Sequence, residues 1–428
     1  AHTRRHWQLD PLHEPAHQQL IELYLAANQP AAALRHYEKL SELLDAELGV
    51  TPAPEIERLL QRLPAPGTAA APPRTNLPTH DAHTPFIGRA AELAHIEQQL
   101  QDAGCRLLTI TGAGGMGKTR LSLAVGQRLF AANLFQGVYF VPLAAVTHAD
   151  YLVTAVAQAL TFTFYGQEPP DEQLGRYLHE KQFLLILDNA EHLPSAAPFI
   201  QTLLRQAPHL KLLVTSRQRL HLRAEWILPL QGLPYPQQPA TTATSGDALR
   251  LFEQQARRLD PHFDSAAAAP HVIEICRLLE GMPLGIELAA AWVPLLSCAD
   301  IAQEIAHSFD FLQSRFHDLP PRHLSLRAVF MHSWQLLTAA EQLVLARLTV
   351  FRGGFSREAA AVTGEAALPM LAALADKSLL RRQPSGRFAI PEALRPYAAE
   401  QLDTANPEAV HAIHAAHARY FTQFLAGY

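Results

Sequence analysis

The sequence is poor in cysteine, methionine and tryptophan, and it contains no long apolar run. Its 428 residues include 3 Cys, 4 Met and 4 Trp. The cysteines Cys105, Cys276 and Cys298 lie far apart, which excludes a disulfide scaffold or a zinc ribbon, because both need closely spaced pairs. This usage fits a reducing, cytoplasmic compartment. Apolar runs such as 183–187 are strand-sized, so the sequence predicts no membrane span, and its start lacks the pattern of a signal peptide.

A strong excess of one charge is also missing. Charged residues make up 18% and hydrophobic residues 48% of the chain, which excludes wholesale disorder. The formal net charge is −5, so any contact with nucleic acid must come from a local patch. At roughly 150 residues per domain, the length predicts about three domains. Because the sequence begins with Ala1 rather than Met, we expect a fragment of a longer chain.

Apolar periodicity divides the sequence into helical and α/β regions. Two apolar stripes at helical spacing flank Asn28-Gln29-Pro30, which predicts an antiparallel helix pair. A later region alternates short apolar runs with helical stretches, which predicts a parallel sheet with strands at 107–111, 138–143, 183–187, 212–215 and 226–230. The predicted organisation begins with a TPR-like helical segment (1–63), a Pro/Ala/Thr-rich linker (64–84) and an α/β domain (85–240). A helical domain (241–308), a winged helix (309–402) and the start of a further helical region (403–428) are predicted to follow.

The winged-helix prediction depends on a hairpin that follows several helices. The runs 378–382 and 387–390 flank Gln383-Pro384-Ser385-Gly386, which is a turn signal. The hairpin region is basic, as a DNA-reading wing would be, and the same charges are equally typical of a solvated or interdomain surface. We favour the solvated or interdomain surface over DNA contact. The basic residues are Lys377, Arg381, Arg382 and Arg387.

The strongest motif is the run 112–119, Gly-Ala-Gly-Gly-Met-Gly-Lys-Thr, which satisfies the G-x-x-x-x-G-K-[ST] pattern between a predicted strand and a predicted helix. Its glycines let consecutive backbone N–H groups point at a phosphate, and the helix adds its positive N-terminal end. Lys118 is expected to reach the β- and γ-phosphates, and Thr119 to hold Mg²⁺. Arg120 is assigned to the same nucleotide site. The glycines of the site are Gly112, Gly114, Gly115 and Gly117.

A carboxylate is predicted beside this loop. Asp188 ends an apolar strand, so it lies at the carboxyl edge of the sheet and is expected to hold Mg²⁺. Asn189 stands where an efficient hydrolase needs a base, and an amide cannot accept a proton. Glu191 is a candidate substitute base, although it is also typical of a surface acid near a helix start. Arg217 follows another strand, where it either reads the γ-phosphate or is a surface arginine.

Together these motifs resemble the NB-ARC-type STAND ATPases. The order Phe86-Ile87-Gly88-Arg89, P-loop, Leu187-Asp188, Thr215-Ser216-Arg217 and Gly281-Met282-Pro283-Leu284 is similar to theirs over about 85–400. The resemblance implies that Ile87 and Arg89 lie against the nucleotide and that Pro283 packs on adenine. It implies a P-loop domain, a helical domain and a winged helix that closes over ADP. Exchange for ATP would then open the chain and permit self-association.

Residues 1–63 resemble the C-terminal part of a bacterial transcriptional activator domain. The resemblance rests on the stretches 9–14, 32–37 and 47–50, with Pro52 and Pro54 following. It implies a regulator of the SARP type, in which DNA is bound only through a domain upstream of this sequence. A turnover ATPase and a STAND defence or stress sensor remain the alternatives to an ATP-regulated transcription switch.

One departure from the NB-ARC pattern falls at Ile390-Pro391-Glu392, where many members carry Met-His-Asp. In the family the histidine donates to the β-phosphate of ADP, whereas Pro391 has neither a side-chain donor nor a backbone N–H. We therefore expect this hydrogen bond to be absent. Pro391 is expected to start the next helix, and closure would rest on apolar packing and Arg395.

Overall fold

Two units, Ala1–Pro73 and Arg74–Tyr428, make up the chain in a computed structural model. The structure describes residues 13–26, 36–37, 40–41, 43–44, 50, 52–53, 56, 74–78, 86–165, 168–193, 196–236, 246–313, 324–405 and 407–426.

The first unit contains helix α1 (Glu14–Ala26). Ile21 of this helix is buried together with Leu40, Leu44 and Ile56 in a small apolar cluster. Leu40 and Leu44 belong to the second predicted stripe, so that stripe contributes to the core of this unit. The predicted turn at 28–30 lies outside the described residues.

The second unit is built on a five-stranded sheet in the order β2-β3-β4-β1-β5. All four neighbouring pairs are parallel, which confirms the predicted parallel α/β sheet. The interior strands β1 and β3 are fully buried, as expected when helices cover both faces. The strands are β1 (Leu107–Thr111), β2 (Gly137–Pro142), β3 (Phe183–Asp188), β4 (Lys211–Ser216) and β5 (Glu225–Pro229).

Helices precede, connect and follow these strands. The first ones are α2 (Ala90–Gln101), α3 (Lys118–Ala131), α4 (Leu152–Ala159), α5 (Pro170–Leu178) and α6 (Ala196–Gln206). Part of the predicted linker is ordered here, since Thr75 pairs with Val138 and Asn76 exchanges two hydrogen bonds with the backbone of Phe140. Residues 74–78 therefore lie along β2 as part of the α/β unit.

The rest of the second unit is mainly helical. Four helices follow the sheet: α7 (Asp247–Leu259), α8 (Ser265–Leu278), α9 (Pro283–Ala290) and α10 (Cys298–His307). The last part contains a two-stranded hairpin, β6 (Arg381–Arg382) and β7 (Phe388–Ala389). Its helices are α11 (Leu326–Gln335), α12 (Ala339–Leu348), α13 (Arg357–Gly364), α14 (Leu368–Asp376), α15 (Arg395–Ala405) and α16 (Pro407–Ala426).

The hairpin is shorter than the sequence predicts. The backbone N–H groups of Leu379 and Leu380 donate to the carbonyl of Leu374, so this stretch closes the end of α14 instead of pairing as a strand. Likewise Pro391 does not start α15. Its carbonyl accepts from the N–H groups of Leu394 and Arg395, and the helix begins at Arg395.

Within the described ranges, no single helix has the length and apolar composition needed to cross a membrane. Only the pair α13 and α14 meets that test when taken together, and the two are bent by 104°.

Candidate functional site

The loop between β1 and α3 has the backbone that its glycines predict. Gly115 and Gly117 have φ values of 78° and 85°, in the left-handed region that favours glycine. A Cβ atom at Gly112 would come within 2.8 Å of the carbonyl oxygen of Leu230. The loop is therefore a tightly curled backbone cradle that needs glycine at these positions, as a phosphate-binding loop does.

Lys118 lies across this cradle. Its Nζ donates to the carbonyl oxygens of Gly112, at 2.8 Å, and Ala113, at 3.0 Å. Because Lys118 is the first residue of α3, its ammonium lies near the positive end of that helix. Two positive features thus meet at the loop, and the arrangement suits a polyanionic ligand such as a nucleotide phosphate.

Thr119, Asp188 and Thr215 form one hydrogen-bonded group. Asp188 Oδ1 accepts from Thr119 Oγ1 at 2.7 Å and from Thr215 Oγ1 at 2.6 Å. The backbone N–H of Asn189 donates to Thr215 Oγ1 at 2.9 Å. Asp188 and Thr215 are buried, so the carboxylate is held in one orientation at the end of β3.

This group suits a magnesium ion. Mg²⁺ prefers hard oxygen ligands and is commonly held by one carboxylate together with substrate phosphates. Thr119 and Asp188 provide a hydroxyl and a carboxylate oxygen next to the phosphate cradle. These two residues would hold the ion, which would offset the negative charge of the phosphates.

Glu191 and Arg217 pair with each other at the same sheet edge. Arg217 Nε donates to Glu191 Oε1 at 3.1 Å, and the two side chains are only 8% and 2% exposed. Glu191 Oε2 is buried and has no hydrogen-bond partner among the described residues. Asn189 has a φ of 67°, and its side-chain amide lies 3.2 Å from Nδ1 of His192. The pairing with Arg217 thus engages one oxygen of the Glu191 carboxylate.

Arg217 also joins the sheet to α11. Its Nη1 donates to the carbonyl oxygen of Val329, at 3.3 Å, and to Ser333 Oγ. Val329 packs directly on the phosphate loop, since a Cβ atom at Gly114 would come within 2.5 Å of Val329 Cγ1 and 3.0 Å of Arg217 Nη2. The backbone carbonyl of Arg217 accepts from Ser378 Oγ at 2.8 Å. The structure thus places Arg217 beside Gly114 of the loop and gives it partners on α11 that the sequence did not indicate, while its contact with a γ-phosphate stays a prediction.

Arg89 is buried and bonded to backbone. Its Nη2 donates to the carbonyl oxygens of Met116, at 3.3 Å, and Gln231, at 2.5 Å, while Nη1 pairs with Glu92 at 2.7 Å. Arg89 therefore holds the phosphate loop through the carbonyl of Met116, and a direct contact of Arg89 with nucleotide stays a prediction.

Ile87 lines an open cleft of about 620 Å³, which is within the usual size range of small-molecule sites. The cleft lies between the segment before α2 and one face of α7. It is lined by Phe86, Ile87, Gly88, Arg250, Glu253, Gln254, Arg257 and Arg258.

Pro283 begins α9 beside the phosphate loop, where the N–H of Leu284 donates to the carbonyl of Gly115 at 3.2 Å. The segment before Pro283 is held by a very close backbone approach. The N–H of Leu233 donates to the carbonyl of Gly281 at 2.7 Å, and a Cβ atom at Gly281 would lie 2.1 Å from the carbonyl oxygen of Leu233. A Cβ atom at Gly232 would meet the carbonyl oxygen of Glu280 at 1.9 Å.

Arg120 pairs with Glu287 of α9 at 3.1 Å. Burial raises the pKa of Glu287, although Arg120 and Arg258 act in the opposite direction. A role for Arg120 toward nucleotide stays a prediction.

The hairpin and the segment after it contact neighbouring backbone and the loop before Pro283. Arg381 pairs with Glu280 at 2.8 Å, and Arg387 donates to the carbonyl of Gly354 at 2.6 Å. Arg395 donates to the carbonyl of Thr349 at 3.1 Å. Its guanidinium therefore joins α15 to the end of α12.

Thr215 and Ser333 are the members of the site that the sequence analysis did not assign. Thr215 stood within the Thr-Ser-Arg run at the end of a predicted strand, so its place at the sheet edge was a usable signal. Ser333 had none, because it lies 116 positions from Arg217 on a helix whose packing only the three-dimensional structure reveals.

Comparison with known families supports two domains. Residues 1–63 match the bacterial transcriptional activator domain, and residues 101–221 match an AAA domain. The chain thus combines a bacterial transcriptional activator domain with a P-loop ATPase domain, as the sequence predicts, and the assignment to NB-ARC-type STAND ATPases stays a prediction.

Several bacterial proteins are similar to this chain. Rv0894, an uncharacterized protein of Mycobacterium tuberculosis, is 35% identical over 285 residues, which cover 66% of this chain and 69% of Rv0894. The chain belongs to the same family as Rv0894. Rv0890c of the same species, provisionally named an HTH-type transcriptional regulator, is 35% identical over 325 residues and 72% of this chain. The regulatory protein AfsR of Streptomyces griseus is 27% identical over 91% of this chain.

This chain spans only about a third of Rv0890c (35%) and 41% of AfsR. Among solved structures, the Aeropyrum pernix ORC2 protein is 14% identical with a TM-score of 0.44, and covers 77% of this chain and 96% of its own. A STAND protein with a tetratricopeptide repeat sensor from Pyrococcus horikoshii is 16% identical with a TM-score of 0.33, and covers 79% of this chain and 45% of its own. Both scores are too low to bear on function.

Proposed function

We propose that this chain is the nucleotide-operated switch of a bacterial transcription regulator. In this proposal ADP holds the chain closed, ATP opens it and permits self-association, and slow hydrolysis returns it to the closed state. The observation that carries the proposal is the junction at Arg217, where the carboxyl edge of an ATPase sheet, a phosphate cradle and a helix from the C-terminal region meet in one buried contact.

The cradle and its lysine support nucleotide binding. Gly112, Gly114 and Gly115 pack closely against neighbouring segments that a side chain at these positions would strike, and Lys118 places an ammonium group beside the same loop. Phosphates would receive hydrogen bonds from the loop N–H groups and from Lys118. We propose adenine as the base because of the similarity to NB-ARC-type ATPases, with the cleft beside Ile87 or the surface near Pro283 as its contact.

A lid is the second part of the proposal. We use the name lid segment for residues 324–405, which include α11 to α15 and the hairpin, and we propose that it acts as the winged helix implied by the resemblance to NB-ARC-type ATPases. Through α11 this segment covers Gly114 of the phosphate loop. A lid over a phosphate site must open before nucleotide is exchanged, and lid opening limits turnover in many enzymes, so this contact supports slow turnover.

Slow hydrolysis fits the carboxylates of the site. Asn189 cannot take a proton from water, and Glu191 is paired with the guanidinium of Arg217. A turnover ATPase needs a general base within reach of water, so the pairing favours the switch over that alternative.

A role in transcription is supported by the domain match over 1–63 and by the names of two relatives, the HTH-type regulator Rv0890c and the regulatory protein AfsR. In this proposal DNA binding belongs to a domain outside this sequence. The hairpin adds little support for DNA binding, because the side chains of Arg381 and Arg387 already bond other groups of the protein.

The test combines binding with association. Calorimetry with Mg²⁺ and either ADP or the nonhydrolysable analogue AMPPNP should show binding of both nucleotides. Sedimentation velocity should then show a larger species with AMPPNP than with ADP. A protein that binds neither nucleotide, or that sediments identically with both, would contradict the proposed switch.

A further inference from the structure

We propose that the guanidinium of Arg217 is shared between two competing partners, the helix α11 and the γ-phosphate of ATP, and that Ser333 sets the balance between them. In this view Ser333 is a positioning residue that acts through Arg217. The inference rests on the proposed function, since it assumes that the loop binds ATP.

The first support is the way in which the hydroxyl of Ser333 is used. It donates to the carbonyl of Val329, four residues earlier on α11, at 3.0 Å. This bond orients the hydroxyl, so its oxygen faces the incoming N–H of Arg217 as an acceptor. Arg217, Ser333 and Val329 are all buried, so water does not compete for these hydrogen bonds.

The second support is the location of the contact. Arg217 Nη2 and Val329 Cγ1 both lie against Gly114, within 3.0 Å and 2.5 Å of the position that a Cβ atom would take there. Gly114 belongs to the cradle, so a phosphate bound by the loop would meet the same guanidinium. In this proposal Arg217 exchanges its two partners by a movement of its own side chain.

The third support is the difference in strength between the two partners. On α11 Arg217 bonds a neutral carbonyl and a neutral hydroxyl through Nη1. A γ-phosphate oxygen carries a negative charge, so it adds a Coulomb attraction to the guanidinium that neither neutral partner on α11 provides. ATP would therefore draw Arg217 from α11, whereas ADP offers no γ-phosphate and leaves the contact in place. The arginine thus converts the presence of one phosphate into release of the lid segment.

The experiment compares Ser333→Ala with wild type, using ADP and AMPPNP in the presence of Mg²⁺. Removing the hydroxyl weakens the hold of α11 on Arg217, so AMPPNP should bind about tenfold more tightly than to wild type. Binding of ADP should stay within about twofold, the spread of an ordinary substitution. Arg217→Ala should act in the opposite direction, with AMPPNP affinity falling and ADP affinity nearly constant.

The matched control is Ser325→Ala. Ser325 caps the N-terminus of the same helix by accepting from the N–H of Ala328 at 3.0 Å, and it does not bond Arg217. If general loosening of α11 explained the effect, Ser325→Ala would raise AMPPNP affinity as strongly as Ser333→Ala. That result would overturn the inference.

A second measurement follows the helix itself. Hydrogen exchange of the amides in 326–335 should be faster in wild type with AMPPNP than with ADP, and Arg217→Ala should abolish the difference. Equal exchange with both nucleotides in wild type would overturn the sharing of Arg217 while leaving nucleotide binding intact. Failure of wild type to bind either nucleotide would overturn the proposed function and this inference together.

Discussion

Thr215 Oγ1 lies 2.6 Å from Asp188 Oδ1 and donates a hydrogen bond to it. The two residues are near the carboxyl ends of the neighbouring strands β4 and β3, and the same hydroxyl accepts from the backbone N–H of Asn189. One threonine therefore fixes both the carboxylate and the turn that follows it. Thr119 reaches the same carboxylate oxygen from the phosphate loop, so the loop and the sheet edge keep a set spacing.

Replacing Asp188 with Asn should impair Mg²⁺-dependent binding of ATP more than Mg²⁺-free binding of ADP. The amide keeps the shape and one oxygen but loses the charge that faces the metal. Calorimetry of the variant and of wild type under both conditions measures the difference. The Mg²⁺-free ADP measurement is the control for general damage to the site. Equal losses in the two conditions would mean that Asp188 is structural.

Lys118→Ala should weaken ADP binding roughly ten- to a hundredfold, because a hydrogen bond to a charged group contributes about 1.5–3 kcal/mol. The matched control is Arg128→Ala on the same helix, where the side chain is 55% exposed and pairs with Glu97. Calorimetry with ADP gives both affinities. Unchanged affinity in the Lys118 variant would remove the assignment of the phosphate loop.

Turnover of ATP by the wild-type chain should be slow, well below the enzyme median of about 10 s⁻¹. The reason is that Asn189 is no base and that Glu191 is paired with Arg217. Release of phosphate under saturating MgATP measures the rate. A rate near that median would favour a turnover ATPase, and Glu191→Gln would then show whether Glu191 is its base.

Pro391→Ala should change ADP affinity by less than about 0.5 kcal/mol, the range of an ordinary surface substitution. In the structure Pro391 acts through its carbonyl, which accepts from the N–H groups of Leu394 and Arg395, and Ala keeps that carbonyl. Calorimetry with ADP is the measurement, with circular dichroism to verify the fold. A tenfold loss in a folded variant would place this segment on the nucleotide.

The three cysteines should resist alkylation in the folded protein. Burial raises the pKa of Cys105 and Cys298 to about 11 each and that of Cys276 to about 12. The thiolate is the reactive form, so at about pH 8 iodoacetamide should label none of them until the chain is denatured. Mass spectrometry before and after denaturation provides the count. Rapid labelling of Cys276 in the native protein would contradict its burial.

Much of the α/β part could be predicted because its signals are local. The apolar run 107–111 followed by the glycine loop placed β1 and α3 to within about a residue. Asp188 and Arg217 were expected at one sheet edge because parallel strands end together. Both are there.

The remaining contacts depend on chain segments that are distant in sequence. Arg217 and Glu191 were read as two separate candidates, and their pairing could not be predicted from residues 26 positions apart without the side-chain packing. The hairpin was predicted too long because apolar residues such as Leu379 fit a strand and a helix end equally well. Arg89 was expected to contact the nucleotide, and only the fold shows that its guanidinium donates to backbone carbonyls.

The two close glycine contacts, Gly232 with the carbonyl of Glu280 and Gly281 with the carbonyl of Leu233, have a mechanical consequence. Main chain lies directly against main chain at both positions, so neither glycine can be replaced by a residue with a Cβ atom unless the loop after β5 or the start of α9 moves. These two glycines therefore fix how closely the strand end and the helix start approach each other, and Pro283 follows immediately after this contact.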